Sequence, residues 1–228
     1  MSSPPVRYAF LCDFDGTISP CDIGARFLES FSPGMDAERR ELKRAWNDGT
    51  IGSRELTEAE CRMARVLPDQ ALAFIDRFEI DPDFAPFVGE SQARGDLVLV
   101  VSDGFEFYIE RLLARAGIAA LPRSANRLEF RGGRVVPEFP NQGRGCGRCG
   151  NCKGDHARRA REEGFAVVVV GDGLYRCAAQ AADRVLARGA LAGWCRDRGI
   201  ASHPFRSFAD VARFARALPG RDGSIVIS

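Results

Sequence analysis

Three apolar segments that each end in an acidic or hydroxyl side chain constrain the fold more than any other feature of the sequence. Residues 8–12 precede Asp13, residues 97–101 precede Ser102, and the run at 165–170 precedes Gly-Asp172-Gly. Short apolar runs separated by segments of helical periodicity predict a parallel, doubly wound α/β sheet. Because reactive groups collect at the carboxyl ends of parallel strands, these polar ends are expected to share one site.

The chain between the first two predicted strands is long and helical. Apolar residues recur there at helical spacing, as at Ile23, Phe27 and Phe31, between turn signals such as Pro33-Gly34. A simple crossover needs only about a dozen residues or slightly more. We therefore expect residues 20–93 to form an inserted helical cap, and residues 1–19 and 94–228 to form the α/β core.

Composition limits the classes of function. The chain is 45% hydrophobic and 28% charged, as in ordinary globular proteins, and its formal net charge is +1. The scattered charges give no basic field for nucleic acid or a membrane surface, and no apolar run approaches the roughly 20 residues of a membrane helix. The start of the sequence has no signal-peptide pattern, so we expect a cytoplasmic protein. We expect either a monomer or a homodimer, and the sequence does not choose between them.

The segment Asp13-Phe-Asp15-Gly-Thr places two carboxylates two residues apart at the end of the first predicted strand. One can attack phosphorus while the other protonates the leaving oxygen and then activates water. Phosphoryl transfer also needs charge neutralisation, and a hard cation such as Mg²⁺ suits Asp13 together with Asp172. Asp-x-Asp-Gly is common in surface turns too, so the motif alone leaves a structural role open.

Candidate phosphate ligands follow the second strand and the glycine-rich loop. The Ser102 hydroxyl, with the adjoining Asp103 and Gly104, could hold phosphate oxygens. Lys153 could bind phosphate and shield Asp13 from its charge. A plain strand-to-helix turn and a lone lysine are the alternatives when each feature is considered singly.

Four motifs follow one another along the chain: Asp13-Phe-Asp15-Gly, Ser102, Lys153 and Gly-Asp172-Gly. In this order and at these strand ends, they resemble the motifs of the haloacid dehalogenase superfamily of phosphatases over nearly the whole chain. The resemblance implies a Rossmann-like core, Asp13 as the nucleophile that forms an aspartyl-phosphate, and Asp15 as general acid and base. It implies that Ser102 and Lys153 hold phosphate. It further implies Mg²⁺ bound by Asp13, by the backbone carbonyl of Asp15 and by Asp172.

The position of the cap resembles the subgroup that includes phosphoserine phosphatase. Residues 141–153, with Cys-Gly-Arg-Cys-Gly-Asn-Cys-Lys, look closer to another branch. That branch contains the methionine-salvage phosphatase for 2-hydroxy-3-keto-5-methylthiopentenyl-1-phosphate and the phosphoethanolamine/phosphocholine phosphatases. The resemblance implies a small phosphorylated metabolite as substrate.

One departure from the family pattern concerns the metal. Arg176 stands where the fourth motif usually carries a second acid, which should weaken the metal or change its geometry. Either Asp103 compensates, or activity is reduced, or Arg176 contacts substrate. A catalytically impaired homologue that binds a phosphate ligand or a partner is therefore an alternative, as is a phosphotransferase that uses the same residues.

A second departure concerns specificity. Glu60 aligns with the arginine that holds the substrate carboxylate in phosphoserine phosphatases, and Asp22 aligns with their amine-binding glutamate. The hypothesis is that both acids face a substrate with a neutral or cationic leaving group. The alternative is that both lie on solvated helix faces.

Three of the eight cysteines are clustered. Cys146, Cys149 and Cys152, with His156, offer four ligands for a structural Zn²⁺, although the spacing is tight for one mononuclear site. An iron–sulfur cluster with a fourth ligand elsewhere is an alternative. A glycine-rich loop with free thiols at the pocket mouth is another.

Overall fold

The computed structural model describes residues 6–142 and 146–219, which contain a sheet of seven strands. Its strand order is β4-β3-β2-β1-β5-β6-β7. All neighbouring strands run parallel except β3 and β4, which are antiparallel. The strands are β1 (Tyr8–Cys12), β2 (Leu97–Phe105), β3 (Arg123–Arg131), β4 (Arg134–Glu138), β5 (Ala166–Gly171), β6 (Arg184–Ala187) and β7 (His203–Pro204).

The two central strands are apolar throughout. All five residues of β1 are buried, and β5 contains four consecutive buried valines. Parallel strands covered on both faces need such continuous runs, since neither face meets water. The strand predicted at 97–101 continues to Phe105, with a register shift against β3 after Val101. The predicted fold class, a doubly wound α/β sheet, is confirmed.

The predicted hairpin around Gly132-Gly133 is the antiparallel pair β3–β4. Both glycines have positive φ, at 56° and 78°, as a two-residue turn between twisted strands requires.

Ten α-helices occur in the described residues, and no helix there has the length and apolar character needed to cross a bilayer. They are α1 (Ile23–Ser30), α2 (Asp36–Asn47), α3 (Ser53–Met63), α4 (Pro68–Ile75), α5 (Phe84–Ala93), α6 (Glu106–Arg115), α7 (Lys153–Glu162), α8 (Arg176–Ala181), α9 (Gly189–Asp197) and α10 (Phe208–Arg216).

The helices between β1 and β2 pack in two ways. Phe27 of α1 contacts Phe74 of α4 with ring centroids 5.9 Å apart, so α1 and α4 pack on one another. In contrast, the ring centroid of Phe87 in α5 lies 5.2 Å from that of Phe10 in β1 and 5.4 Å from that of Phe208 in α10. Helix α5, which falls inside the predicted cap range 20–93, therefore packs on the sheet.

Candidate active site

The carboxyl ends of β1, β2 and β5 meet at one edge of the sheet, because β1 pairs in parallel with both of the other strands. The edge faces a cavity of ≈ 1170 Å³ that is also lined by α1, α2 and α3. The structure brings five sequence-predicted residues together in its lining: Asp13, Asp15, Ser102, Lys153 and Asp172.

A tight turn, Phe14–Ile18, follows β1 and packs against the side chain of Asp172. Gly16 has φ +71°, and a Cβ there would overlap Asp172 Oδ2. Glycine is therefore required both for the backbone conformation and for the close approach of the carboxylate. Thr17 Oγ1 donates a hydrogen bond to Asp172 Oδ1 at 3.1 Å, which fixes the carboxylate against the turn.

Asp13 is paired with a buried cation. Only 4% of Asp13 is exposed, and Lys153 Nζ lies 3.0 Å from its Oδ1. Burial raises the pKa of Asp13 to about 7, with Lys153 opposing the rise and the charge of Asp172 adding to it. Ionised Asp13 is therefore favoured by any further positive charge placed beside it.

Asp15 is held by three donors. Tyr108 donates its hydroxyl to Oδ2, and the backbone N–H groups of Ile23 and Gly24, at the start of α1, donate to Oδ1 at 2.8 and 3.3 Å. Burial and the charge of Asp22 raise the pKa of Asp15 to about 8. At neutral pH this carboxyl therefore carries the proton that a general acid donates.

The donor set fits Mg²⁺. The carboxylates of Asp13 and Asp172 are hard oxygen ligands of the kind this ion prefers. Burial raises the pKa of both carboxyls, so their negative charges are incompletely balanced by the protein. A divalent cation between them would supply that balance.

Arg188, which the sequence analysis missed, supports the turn after β1. Its guanidinium donates to the Gly16 carbonyl at 3.0 Å from Nε and to the Thr17 carbonyl at 3.2 Å from Nη2. The residue directly follows β6, whose carboxyl end lies at the same edge of the sheet. The rule that polar residues collect at strand ends could have found it.

Ser102 and Asp103, which follow Val101, make different kinds of contact: Ser102 bonds within its own segment, and Asp103 bonds to other parts of the chain. Ser102 is buried, and its Oγ accepts a hydrogen bond from Gly104 N at 2.9 Å. Asp103 Oδ1 accepts from Asn151 N at 2.6 Å, and its Oδ2 accepts from the Ser53 hydroxyl at 3.0 Å. Asp103 therefore joins β2 to α3 and to the loop before α7, and both of its carboxylate oxygens are engaged there.

The candidate specificity residues all line the cavity. Glu60 is 4% exposed, and its Oε1 lies 3.2 Å from Arg39 Nη2, while burial raises its pKa against the effect of Arg39. Asp22 caps α1 by accepting from Ala25 N at 2.7 Å. Both acids therefore have partners within the protein. Arg176, the third candidate, is exposed and is the first residue of α8.

The cysteine cluster differs from the predicted zinc set. Cys146, Cys152 and Cys177 have sulfurs within 4.8 Å of one another. His156 instead directs Nε2 at Asn151 Oδ1, at 2.8 Å, and at the Ser124 hydroxyl. Cys177 stands where His156 was expected, and it was missed because it lies 25 residues after Cys152 with no spacing signal.

The sequence profile of the haloacid dehalogenase-like hydrolases matches residues 10–175, well over half of the chain. The chain belongs to this family. A hydrolase from Exiguobacterium sibiricum, named 2-hydroxy-3-keto-5-methylthiopentenyl-1-phosphate phosphatase, is 30% identical over 88% of this chain and 93% of its own length. A protein of the same name from Brevibacillus brevis is 30% identical over 93% of this chain and 96% of its own length. The predicted enzyme class, a phosphatase, is confirmed.

Solved structures share the fold of this haloacid dehalogenase-like hydrolase. A phosphoserine phosphatase with an analogue of the phospho-aspartyl intermediate has a TM-score of 0.68 at 18% identity, covering 92% of this chain and 99% of the other. A family hydrolase from Salmonella enterica has a TM-score of 0.70 at 16% identity, covering 91% and 70%. At these identities the likeness concerns the fold alone.

Proposed function

We propose that this protein is a Mg²⁺-dependent phosphomonoester hydrolase that acts through an aspartyl-phosphate on Asp13. One observation supports this above all others: the buried Asp13 carboxylate lies 3.0 Å from Lys153 Nζ. The charge of Asp172 bears on the same carboxylate, and Asp15 lies two residues along the same turn. A nucleophile, a cation and a proton donor thus face the same cavity.

In the proposed first step, Asp13 attacks phosphorus and the bond to the leaving oxygen breaks. Asp15 gives its proton to that oxygen. In the second step, ionised Asp15 takes a proton from water, whose oxygen attacks phosphorus. The bond to Asp13 then breaks, which returns the carboxylate and releases inorganic phosphate.

The other residues bind and neutralise charge. Lys153 and the Ser102 hydroxyl hold phosphate oxygens. Bound by Asp13, the Asp15 carbonyl and Asp172, Mg²⁺ would offset charge on the phosphoryl group in the transition state. Thr17 and Arg188 act indirectly: Thr17 holds the Asp172 carboxylate in place, and Arg188 holds the turn after β1.

The proposed substrate is a small phosphorylated metabolite, with 2-hydroxy-3-keto-5-methylthiopentenyl-1-phosphate as the first candidate. Relatives of that name match the chain nearly end to end. The cavity also has an apolar wall suited to a methylthio group: Leu28, Trp46, Ile51 and Leu56. We further propose that α1–α4 form the cap over this cavity, while α5 belongs to the core.

The test is Mg²⁺-dependent release of phosphate from para-nitrophenyl phosphate, the methionine-salvage intermediate, phosphoethanolamine and phosphoserine. Asp13→Asn should abolish turnover, while Asp69→Asn, a matched change at an exposed acid on α4, should leave kcat unchanged. Equal rates from wild type and Asp13→Asn would instead support the alternative that the protein is a catalytically impaired homologue that binds a phosphate ligand or a partner, the hypothesis based on Arg176. Transfer of phosphate to an added alcohol in preference to water would support a phosphotransferase.

A further inference from the structure

Four of the eight cysteines lie together between the cavity and helices α7 and α8, and the proposed reaction uses none of them. Cys146 and Cys149 belong to the loop before α7, Cys152 directly precedes α7, and Cys177 lies in the first turn of α8. Three of the four line the same cavity as Asp13.

Two of the sulfur–sulfur distances are close to those of a tetrahedral thiolate site. A zinc–sulfur distance of about 2.3 Å in a tetrahedron requires sulfurs about 3.8 Å apart. Cys152 Sγ lies 3.7 Å from Cys177 Sγ, and Cys146 Sγ lies 3.3 Å from Cys149 Sγ. The sulfur of Cys146 also lies within 4.8 Å of the sulfurs of Cys152 and Cys177, and Cys149 adjoins this group of three through its contact with Cys146.

The backbone is shaped to bring these sulfurs together. A Cβ at Gly154, in the first turn of α7, would stand 2.8 Å from both Cβ and Sγ of Cys177. Only glycine therefore lets α8 come this close to α7. Cys152 occupies the N-cap of α7, where the helix dipole favours a thiolate.

We propose that Cys146, Cys149, Cys152 and Cys177 bind one Zn²⁺ as thiolates, in a structural site separate from the Mg²⁺ site. Binding releases the four thiol protons, so the affinity falls as the pH is lowered. This site goes beyond the proposed phosphatase activity and does not depend on it.

The site would fix the catalytic lysine and one wall of the cavity. Lys153 follows Cys152 directly in the chain, so a metal bond to Cys152 limits the movement of the lysine backbone. On the other side, Arg148 lies between Cys146 and Cys149 and donates to the carbonyls of Gly49 and Ile51, between α2 and α3. Zinc would therefore hold the loop, the start of α7 and this wall in one arrangement.

Two disulfides, Cys146–Cys149 and Cys152–Cys177, are the competing use of the same thiols. Zinc is favoured because the three sulfurs of Cys146, Cys152 and Cys177 converge mutually, whereas disulfides require only separate pairs. The experiment below separates the two.

The full chain is purified without chelator, reduced, and titrated with Co²⁺ and then Zn²⁺. We expect one equivalent of Co²⁺ to give the thiolate charge-transfer absorption of a tetrahedral site, which Zn²⁺ then displaces. Cys152→Ser/Cys177→Ser should lose this absorption, whereas Cys195→Ser, a buried cysteine in a different core cluster, should keep it. Asp13→Asn should bind Zn²⁺ as wild type does, even though its turnover is lost.

Zinc should also raise the thermal midpoint of the wild type and leave that of the double variant unchanged. The wild-type titration needs no variant to fold, so it decides the matter alone. Failure of the fully reduced wild type to take up Co²⁺ or Zn²⁺ would overturn the proposal. So would isolation of a stable oxidised protein, lighter by four hydrogens, that binds no metal after reduction.

Discussion

Gly104→Ala is expected to damage catalysis without touching the nucleophile. The new methyl group would overlap the Tyr108 hydroxyl oxygen and Asp15 Oδ2, and it would stand 2.9 Å from Tyr108 Cζ. Carbon atoms pack at about 3.5–4.0 Å, so Tyr108 Cζ alone must withdraw by roughly 0.6–1.1 Å, and the hydroxyl oxygen, which lies closer still, must move further. That movement should break the hydrogen bond from Tyr108 and displace Asp15, the proposed proton donor.

A misplacement of about 1 Å at a reacting group costs on the order of 100-fold in rate. We therefore expect kcat of Gly104→Ala to fall about 100-fold, which corresponds to about 2.7 kcal/mol in the activation free energy. KM should change little, because the displaced carboxyl acts on the leaving oxygen. The assay is steady-state hydrolysis of para-nitrophenyl phosphate with saturating Mg²⁺, alongside a thermal melt of each variant.

Gly89→Ala is the matched control. Gly89 lies in α5, and a methyl group added there would meet no atom of the described residues within 4 Å, so kcat should equal that of wild type. Gly104→Ala/Tyr108→Phe should be no slower than Gly104→Ala alone, since both changes act on one carboxyl. A folded Gly104→Ala protein with kcat within threefold of wild type would refute the steric argument.

Three further outcomes follow from contacts elsewhere. Tyr108→Phe removes one hydrogen-bond donor from the protonated Asp15 and should lower kcat by up to about 10-fold in the same assay, from the roughly 0.5–1.5 kcal/mol of a neutral hydrogen bond. Burial lowers the pKa of His156, so the unfolded chain binds this proton more readily than the folded protein, and stability falls as the pH drops below about 6.5. The urea midpoint should therefore fall less between pH 7.5 and pH 5 in His156→Gln than in the wild type. Phe208→Ala, which empties a fully buried position beside Phe84, should lower the unfolding free energy by about 3–5 kcal/mol in urea titrations.

Local pattern was enough to predict the central sheet. The runs that became β1 and β5 are apolar on both faces, and strands buried on both sides have no other way to be stable. Their polar ends then had to meet, because parallel neighbours present the same ends at one edge of the sheet. The location of the site therefore followed from the same reasoning as the fold.

The partners inside the site could not be predicted in this way. Tyr108 and Asp15 are 93 residues apart, and their contact depends on the direction of a side chain on α6. Cys177 joins the other thiols only because α8 packs on α7 at a glycine. For Asp103 the sequence showed an acid at a strand end, and the tertiary structure determines that both its oxygens are used by backbone and hydroxyl donors.

The double engagement of Asp103 has a consequence for the timing of turnover. Its carboxylate holds Ser53, at the first residue of α3, and Asn151, two residues before the lysine, while its own backbone adjoins Ser102. Under the proposed function, an outward movement of α3 to admit substrate or release phosphate would break the Ser53 contact. It would free one carboxylate oxygen of Asp103 next to Ser102, a proposed phosphate ligand, so we expect opening of the cavity to weaken phosphate binding.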